Sequence, residues 1–241
     1  MTPMKRMALV VQNMEREGPG AIAAVLRDRG IRYDVADVSR GMKLPASLDR
    51  YGCVFMMGGQ ESANDPAESM VERLELAKYA IGSGVPFLGI CLGMQMAVRA
   101  HGGSVHKALT KEIGWRDPVS RSYFEIELTG QGRKDPLFSG LPDKLKVFHL
   151  HGETVRLASG MVLLATGSVC PNQVVKIGKN AYGVQGHMEL TEEMFGTWLG
   201  SDPDLKGLSH KELEIDYRSV KDEYESNGHA MLSNFLDIAG L

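Results

Sequence analysis

The feature that most constrains this fold is Val85-Pro86-Phe87-Leu88-Gly89-Ile90-Cys91-Leu92-Gly93-Met94-Gln95, an apolar run that ends in Gly-x-Cys-x-Gly. A helical pattern begins at once, with Leu92, Met96 and Ala100 at i, i+4 and i+8. Such a stretch reads as a buried strand, a sharp turn and a helix that starts on the turn. The glycines beside Cys91 suit a bend too tight for neighbouring Cβ atoms, the geometry of a nucleophile elbow with cysteine in the serine position. That cysteine sits at a helix N-terminus, where unpaired N–H groups and the helix dipole favour negative charge on sulfur. Gln95, four residues on, shares its helix face. A small buried cysteine between glycines that merely permit close strand–helix packing gives the same pattern. The nucleophile reading therefore needs a base elsewhere in the chain.

The neighbouring sequence repeats the alternation of strand and helix. Residues 7–11 form an apolar strand, 21–29 a helix closed by Gly30, 31–38 a second strand, and 52–57 a third that stops at Gly58-Gly59. Asp65-Pro66 predicts a helix start with Pro66 in the first turn, running to Gly82. Mostly apolar strands alternating with helices predict a parallel sheet covered on both faces. Sites in such sheets lie at the carboxyl ends of the strands, where Gly58-Gly59 and Cys91 both fall. After Gly102-Gly103 the pattern changes to short pieces at 104–108, 113–119, 123–128, 145–150, 161–166, 173–177 and 181–185, which read as antiparallel strands. Residues 211–239 form a charged helix with Leu213, Tyr217, Val220 and Tyr224 on one face. No internal repeat or linker divides the chain, so 1–241 reads as one domain, with 200–241 a helical extension packed on it.

Composition excludes several classes. Of the 241 residues 43% are hydrophobic and 24% charged, as in a soluble globular protein. A net charge of -3 argues against a nucleic-acid partner. Lys5 and Arg6 precede only residues 7–11, too short a core for a signal peptide. No apolar run approaches the ~20 residues of a membrane helix. Cys53, Cys91 and Cys170 are odd in number, widely spaced and outside any zinc motif, which predicts a reducing, cytoplasmic setting. Phosphate-loop and His-Glu-x-x-His patterns are missing from the sequence, so no ATP-using module or zinc helix is expected. Cys53 reads as core; Cys170, before Pro171 in a turn, reads as exposed; His101, His106, His210 and His229 read as solvated.

The base is best supplied by His187, within Tyr182-Gly183-Val184-Gln185-Gly186-His187-Met188-Glu189, just where a strand pattern ends. Glu189 is two residues on, so in extended backbone both side chains project to one side. A carboxylate there would fix the imidazole tautomer and stabilise its charged form. His-x-Glu alone occurs by chance on solvated strands; paired with an elbow cysteine it points to a Cys/His/Glu triad.

These residues resemble a known family. Gly89-Ile90-Cys91-Leu92-Gly93-Met94-Gln95, followed far downstream by Gly183-Val184-Gln185-Gly186-His187-Met188-Glu189, is similar to the class I glutamine amidotransferases, in particular a free-standing, GMP-synthase-like group. The likeness runs from the first strand to about Glu193. It takes in Gly58-Gly59 with Ser62-Ala63-Asn64-Asp65, Lys111-Glu112-Ile113-Gly114-Trp115 and Phe148-His149-Leu150-His151-Gly152-Glu153. It implies an α/β, flavodoxin-like three-layer sandwich: a central, mostly parallel sheet, a small antiparallel sheet and C-terminal helices. It also implies a glutaminase that needs neither cofactor nor metal. Cys91 would attack the side-chain amide of L-glutamine, His187 would protonate the departing ammonia and activate water, and Glu189 would hold His187. The backbone N–H groups of Gly59 and Leu92 would form the oxyanion hole. Gln95 and a turn at His151-Gly152-Glu153 would hold the amino-acid end of the substrate, although His149 and His151 fit equally well as structural histidines, one of them inside. A separate synthetase would accept the ammonia.

Two departures stand out. The family usually has proline after Gly-Gly, where this chain has Gln60, which questions the rigidity of the oxyanion loop. An aromatic normally precedes the histidine and proline follows it; here they are Gly186 and Met188, and glycine predicts a looser backbone at His187. Two other functions compete. One is a γ-glutamyl peptidase or hydrolase using the same triad on another γ-glutamyl amide. The other is a non-catalytic, flavodoxin-like regulatory module.

Overall fold

In the computed structural model residues 7–241 are described; Lys5 and Arg6, which entered the signal-peptide reading, lie outside them. The chain runs β1 (Met7–Gln12), α1 (Ala21–Asp28), β2 (Tyr33–Asp37), β3 (Tyr51–Met56), α2 (Glu68–Gly82), β4 (Phe87–Ile90) and α3 (Leu92–Ala100). Then come β5 (Ser104–Gly114), β6 (Glu125–Leu128), β7 (Lys144–Lys146), β8 (His149–Arg156), β9 (Val162–Gly167), β10 (Val174–Ile177) and β11 (Ala181–Val184). α4 (Glu192–Ser201) and α5 (His210–Ala239) close the described chain.

Nine strands form one mixed sheet in the order β2-β1-β3-β4-β11-β10-β9-β6-β7, and β5 pairs with β8 in a small antiparallel sheet. The strands from β2 to β11 in that order are parallel. The remaining four continue the sheet in antiparallel fashion. In β1 all of Ala8, Leu9, Val10 and Val11 are buried, Ala8 and Val10 in a core shared with α1 and α5, Leu9 and Val11 in one shared with α2 and α3. Alternation of side chains across a strand puts successive residues on opposite faces, so a strand buried throughout must be covered on both. Each fully buried Leu, Val or Phe contributes roughly 1.5–3 kcal/mol. The sheet is thus the middle layer of a three-layer sandwich. No helix among the described residues is long and apolar enough to cross a membrane.

The topology changes several expectations. Residues 181–185 read as antiparallel, and β11 does pair so with β10, but on its other edge it lies parallel to β4, with Gly183 opposite Gly89 and Val184 opposite Ile90. Four buried residues carry no mark of direction; the partner strand decides it. Residues 104–108 and 113–119 are not two strands: β5 runs through to Gly114, with a register shift between Lys107 and Glu112. The supposed turn at 151–153 is the middle of β8. Pro66 precedes the cap of α2 rather than sitting in its first turn, and Asp65 Oδ1 accepts from the Ala67 amide at 2.8 Å. α4, which the strand-by-strand reading passed over, starts on Thr191, whose hydroxyl accepts from the Met194 amide. Cys53 is core as expected, whereas Cys170 is buried instead of exposed.

Candidate active site

β4 and β11 are neighbours that end at the same level, and that brings the two halves of the site together. The Cys91 amide donates to the carbonyl of Val184 at 2.7 Å, and His187 follows three residues later. Cys91 has φ 51° and ψ -108°, left-handed backbone that costs a non-glycine residue of order 1–3 kcal/mol. Gly89 and Gly93 make the bend possible: a Cβ on Gly89 would collide with the backbone of Gly93, and one on Gly93 with the carbonyl of Met56. Cys91 caps the N-terminus of α3 and is 5% exposed. Neither the Leu92 nor the Gly59 amide donates to a protein acceptor among the described residues, so both are available to a ligand.

His187 Nδ1 donates to Glu189 Oε1 at 2.8 Å, and the ring lies beside the Cys91 side chain. Burial works against the charged ring. The Glu189 carboxylate and the bonds to Cys91 and Glu189 outweigh it, and the imidazole pKa rises well above its usual value. The His187 backbone is not loosened by Gly186. Its amide donates to Phe148 O at 2.8 Å, and its carbonyl accepts from the Tyr224 hydroxyl at 2.8 Å. Gly186 is small for another reason: a Cβ there would lie 2.8 Å from His149 Cε1 and would strike Val147. The indole of Trp198 meets the His187 ring edge-on, centroids 4.8 Å apart. Gln60, in place of the usual proline, donates to Asp202 Oδ2 at 3.1 Å and ties its loop to the end of α4.

A cavity of about 410 Å³ opens beside Cys91, and Gly59, Gln95, His151, Gly152 and Glu153 line it. Gln95 Nε2 donates to the Glu153 carbonyl at 3.2 Å and to Gln185 Oε1 at 3.4 Å, while Gln185 Nε2 points at Cys91 Sγ from 3.7 Å. Two groups near Cys91 carry no mark of their role in the sequence. Gln185 lies fully buried behind the sulfur, and its amide reaches Sγ because β11 is parallel to β4. Glu17, from the loop after β1, enters the same cavity almost completely buried. Burial pushes its carboxyl up to about 7, with nearby His187 opposing and Glu189 adding to the rise. Its signal was position alone, a Glu-Gly-Pro-Gly turn at the carboxyl end of a central strand.

Glu112, His149 and His151 are the one set of three metal-binding side chains that converge among the described residues, within 4.8 Å. Both histidines are buried, not one of the two. Glu112 Oε2 already accepts from Gln173 Nε2 at 2.9 Å and lies 2.9 Å from His151 Nε2, whose Nδ1 bonds the Glu153 carbonyl at 3.0 Å. Bonds from His151 and Gln173 overcome burial and carry the Glu112 pKa below its ordinary value. The set ties β5 to β8 behind the cavity wall.

Known proteins resemble this chain in sequence and in fold. Residues 16–200 match the family described as glutamine amidotransferase class-I. The chain is 32% identical over 183 residues to the glutamine amidotransferase-like protein YfeJ of Salmonella typhimurium, covering 73% of each. It is 31% identical over 159 residues to a gamma-glutamyl-L-1-hydroxyisopropylamide hydrolase of a Pseudomonas species, covering 65% of this chain and 52% of the relative. Matches to several glutamine-hydrolysing GMP synthases span only 20% to 35% of those proteins. The crystal structure of a glutamine amidotransferase from Thermotoga maritima superposes with a TM-score of 0.85 at 25% identity, covering 97% of this chain and 99% of that one. The extent of the family match and the superposition over nearly the whole chain agree: this protein belongs to the class I glutamine amidotransferases.

Proposed function

We propose that the chain hydrolyses the side-chain amide of L-glutamine, or of a related γ-glutamyl compound, through a thioester on Cys91. The observation that carries this reading is the junction of β4 and β11, where a strained, helix-capping cysteine adjoins an imidazole bonded to a buried carboxylate at 2.8 Å. Cys91 Sγ attacks the amide carbon, and the oxyanion is received by the amides of Gly59 and Leu92. Preorganised donors of this kind are worth roughly 10²–10³ in rate each. His187 gives its proton to the departing nitrogen and then takes one from the water that cleaves the thioester, with Glu189 holding the ring in place. Gln95, His151, Gly152 and Glu153 form the wall that holds the amino-acid end of the substrate. A separate synthetase accepts the ammonia; several relatives are named as glutamine-hydrolysing GMP synthases, which supports a partner of that kind.

The cavity beside Cys91 and the amide hydrolase among the relatives favour a second reading, a hydrolase of substituted γ-glutamyl amides. The acyl chemistry is the same in both. Ammonia release from glutamine and amine release from γ-glutamyl amides, measured on the wild type and on Cys91→Ala, separates them. Glutamine turnover lost in Cys91→Ala supports the first reading. Amine release without ammonia supports the second, and unchanged rates in Cys91→Ala overturn both.

A further inference from the structure

The cavity beside Cys91 is lined by five carboxylates, and four have partners. Glu61 pairs with Arg73 at 2.6 Å, Glu153 accepts from the Ser62 hydroxyl at 2.9 Å, Asp202 pairs with Arg16 and takes the Gln60 amide, and Asp204 pairs with Lys111 at 3.0 Å. Glu17 differs. It is 4% exposed, and its buried Oε2 has no hydrogen-bond partner among the described residues. An unsatisfied buried carboxyl costs stability and returns none by itself. It is nevertheless firmly placed: the Glu17 amide donates to Met14 O at 3.0 Å, and the Trp198 indole donates to the Arg16 carbonyl at 2.8 Å.

Gly58 shows where that oxygen points. A Cβ on Gly58 would collide with Glu17 Oε2 while lying 3.1 Å from His187 Cε1 and 3.5 Å from the Cβ of Cys91. The free oxygen, the imidazole and the sulfur-bearing side chain therefore crowd around Gly58, at the edge of the cavity that Glu17 and Cys91 both line. An acceptor held beside nucleophile and proton donor is placed to meet the atom that leaves the substrate.

We propose that Glu17 Oε2 is the acceptor for an N–H of the departing nitrogen, so that the site selects γ-glutamyl amides over γ-glutamyl esters. This rests on the glutaminase-type reading above. In the step concerned, the Cys91 thiolate forms the S–C bond and the C–N bond breaks. The bonding pair stays on nitrogen, which takes the proton from His187 and leaves as neutral ammonia or a primary amine. A hydrogen that nitrogen already carries is held by Glu17 throughout, which fixes the nitrogen lone pair toward His187. An ester has oxygen in that position and nothing to donate.

The test compares kcat/KM for γ-glutamyl-p-nitroanilide and for the γ-glutamyl p-nitrophenyl ester, in wild type, Glu17→Gln and Glu17→Ala. Both substrates give the same thioester, so its hydrolysis is common to them. At pH 8, above the Glu17 pKa of about 7, loss of a hydrogen bond to the ionised carboxylate predicts a roughly 10- to 100-fold fall on the anilide in Glu17→Ala, with less than about threefold change on the ester. Glu17→Gln, which keeps a neutral oxygen of the same reach, falls between. Equal losses on both substrates, or no loss on the anilide, overturn the role of Glu17 while leaving the triad intact. A wild type that cleaves neither compound overturns the enzymatic reading itself, and this proposal with it.

Discussion

Two buried imidazole–carboxylate groups sit side by side in this protein and behave in opposite ways. His187 lies 2.8 Å from Glu189 through Nδ1 and adjoins Cys91, and its pKa is raised well above the ordinary value. His149, one residue from Phe148, which bridges to His187, is 3.9 Å from Glu112, and its Nδ1 has no partner among the described residues. Burial pushes His149 down to about 3, against the pull of Glu112 and with the nearby imidazoles of His151 and His187 adding to the fall. Burial strips the proton from an imidazole unless a carboxylate bonds it directly. About one ångström of separation and a second partner thus divide a ring that keeps its proton from one that surrenders it.

The largest expected contrast is catalytic. His187→Gln should lower kcat/KM for glutamine by roughly 10⁴-fold, as losing one member of a coupled triad does, while His149→Gln changes it by less than about tenfold. Steady-state ammonia release checks both, and comparable losses in the two variants would erase the distinction. Next is Glu189→Gln, expected to cost roughly 10²–10⁴ in kcat because the ring loses both its tether and its counter-charge. NMR titration should show the His187 pKa drop in this variant, while His149 stays neutral down to acidic pH in the wild type. A pKa raised by folding stabilises fully below the unfolded value and loses that contribution as pH rises through the folded one. Glu189→Gln should therefore lose most stability below pH about 6.5.

Glu17 extends the comparison to a buried carboxyl whose Oε2 has no partner among the described residues. Its pKa is raised from 4.5 to about 7, chiefly by burial, so the fold favours the protonated form. Any stabilisation it offers is complete below the unfolded value and is lost as pH climbs from 4.5 through 7. Relative to wild type, Glu17→Gln should be roughly 3 kcal/mol more stable at pH 8 and unchanged at pH 4, read from urea midpoints. The smallest effect is at the seam between the two histidines. Gly186→Ala should cost roughly 1–3 kcal/mol through the contact with His149, and His149→Ala should relieve part of it in a double-mutant cycle. Strict additivity would mean that the two positions do not press on each other.

The elbow at Cys91 was legible because its geometry is written in local glycine spacing and in the apolar run before it. His187 and Glu189 were legible as a pair two residues apart. What brings them to Cys91 was not, since the parallel pairing of β11 with β4 depends on a partner over ninety residues away. Glu17 stayed hidden because nothing in Arg16-Glu17-Gly18 marks a carboxylate as buried, and carboxylates almost never are. Glu112 was missed as a structural group for a related reason. The shifted register of β5 alone sets it opposite His151, and the sequence there reads as a break between two strands.

Tyr224 gives the long last helix an unexpected hold on the chemistry. Its hydroxyl donates to the His187 carbonyl at 2.8 Å and accepts from the Leu190 amide at 3.2 Å, so one side chain bridges the residues on either side of Glu189. Four residues further, Gly228 lets the helix rest directly on the Met188 carbonyl, where any Cβ would intrude. A rigid rod seated this way works like a latch: sliding it by an ångström releases both bonds together. Fraying of the helix and silencing of the imidazole then become a single event, and denaturant should remove turnover and the local helical signal at the same midpoint.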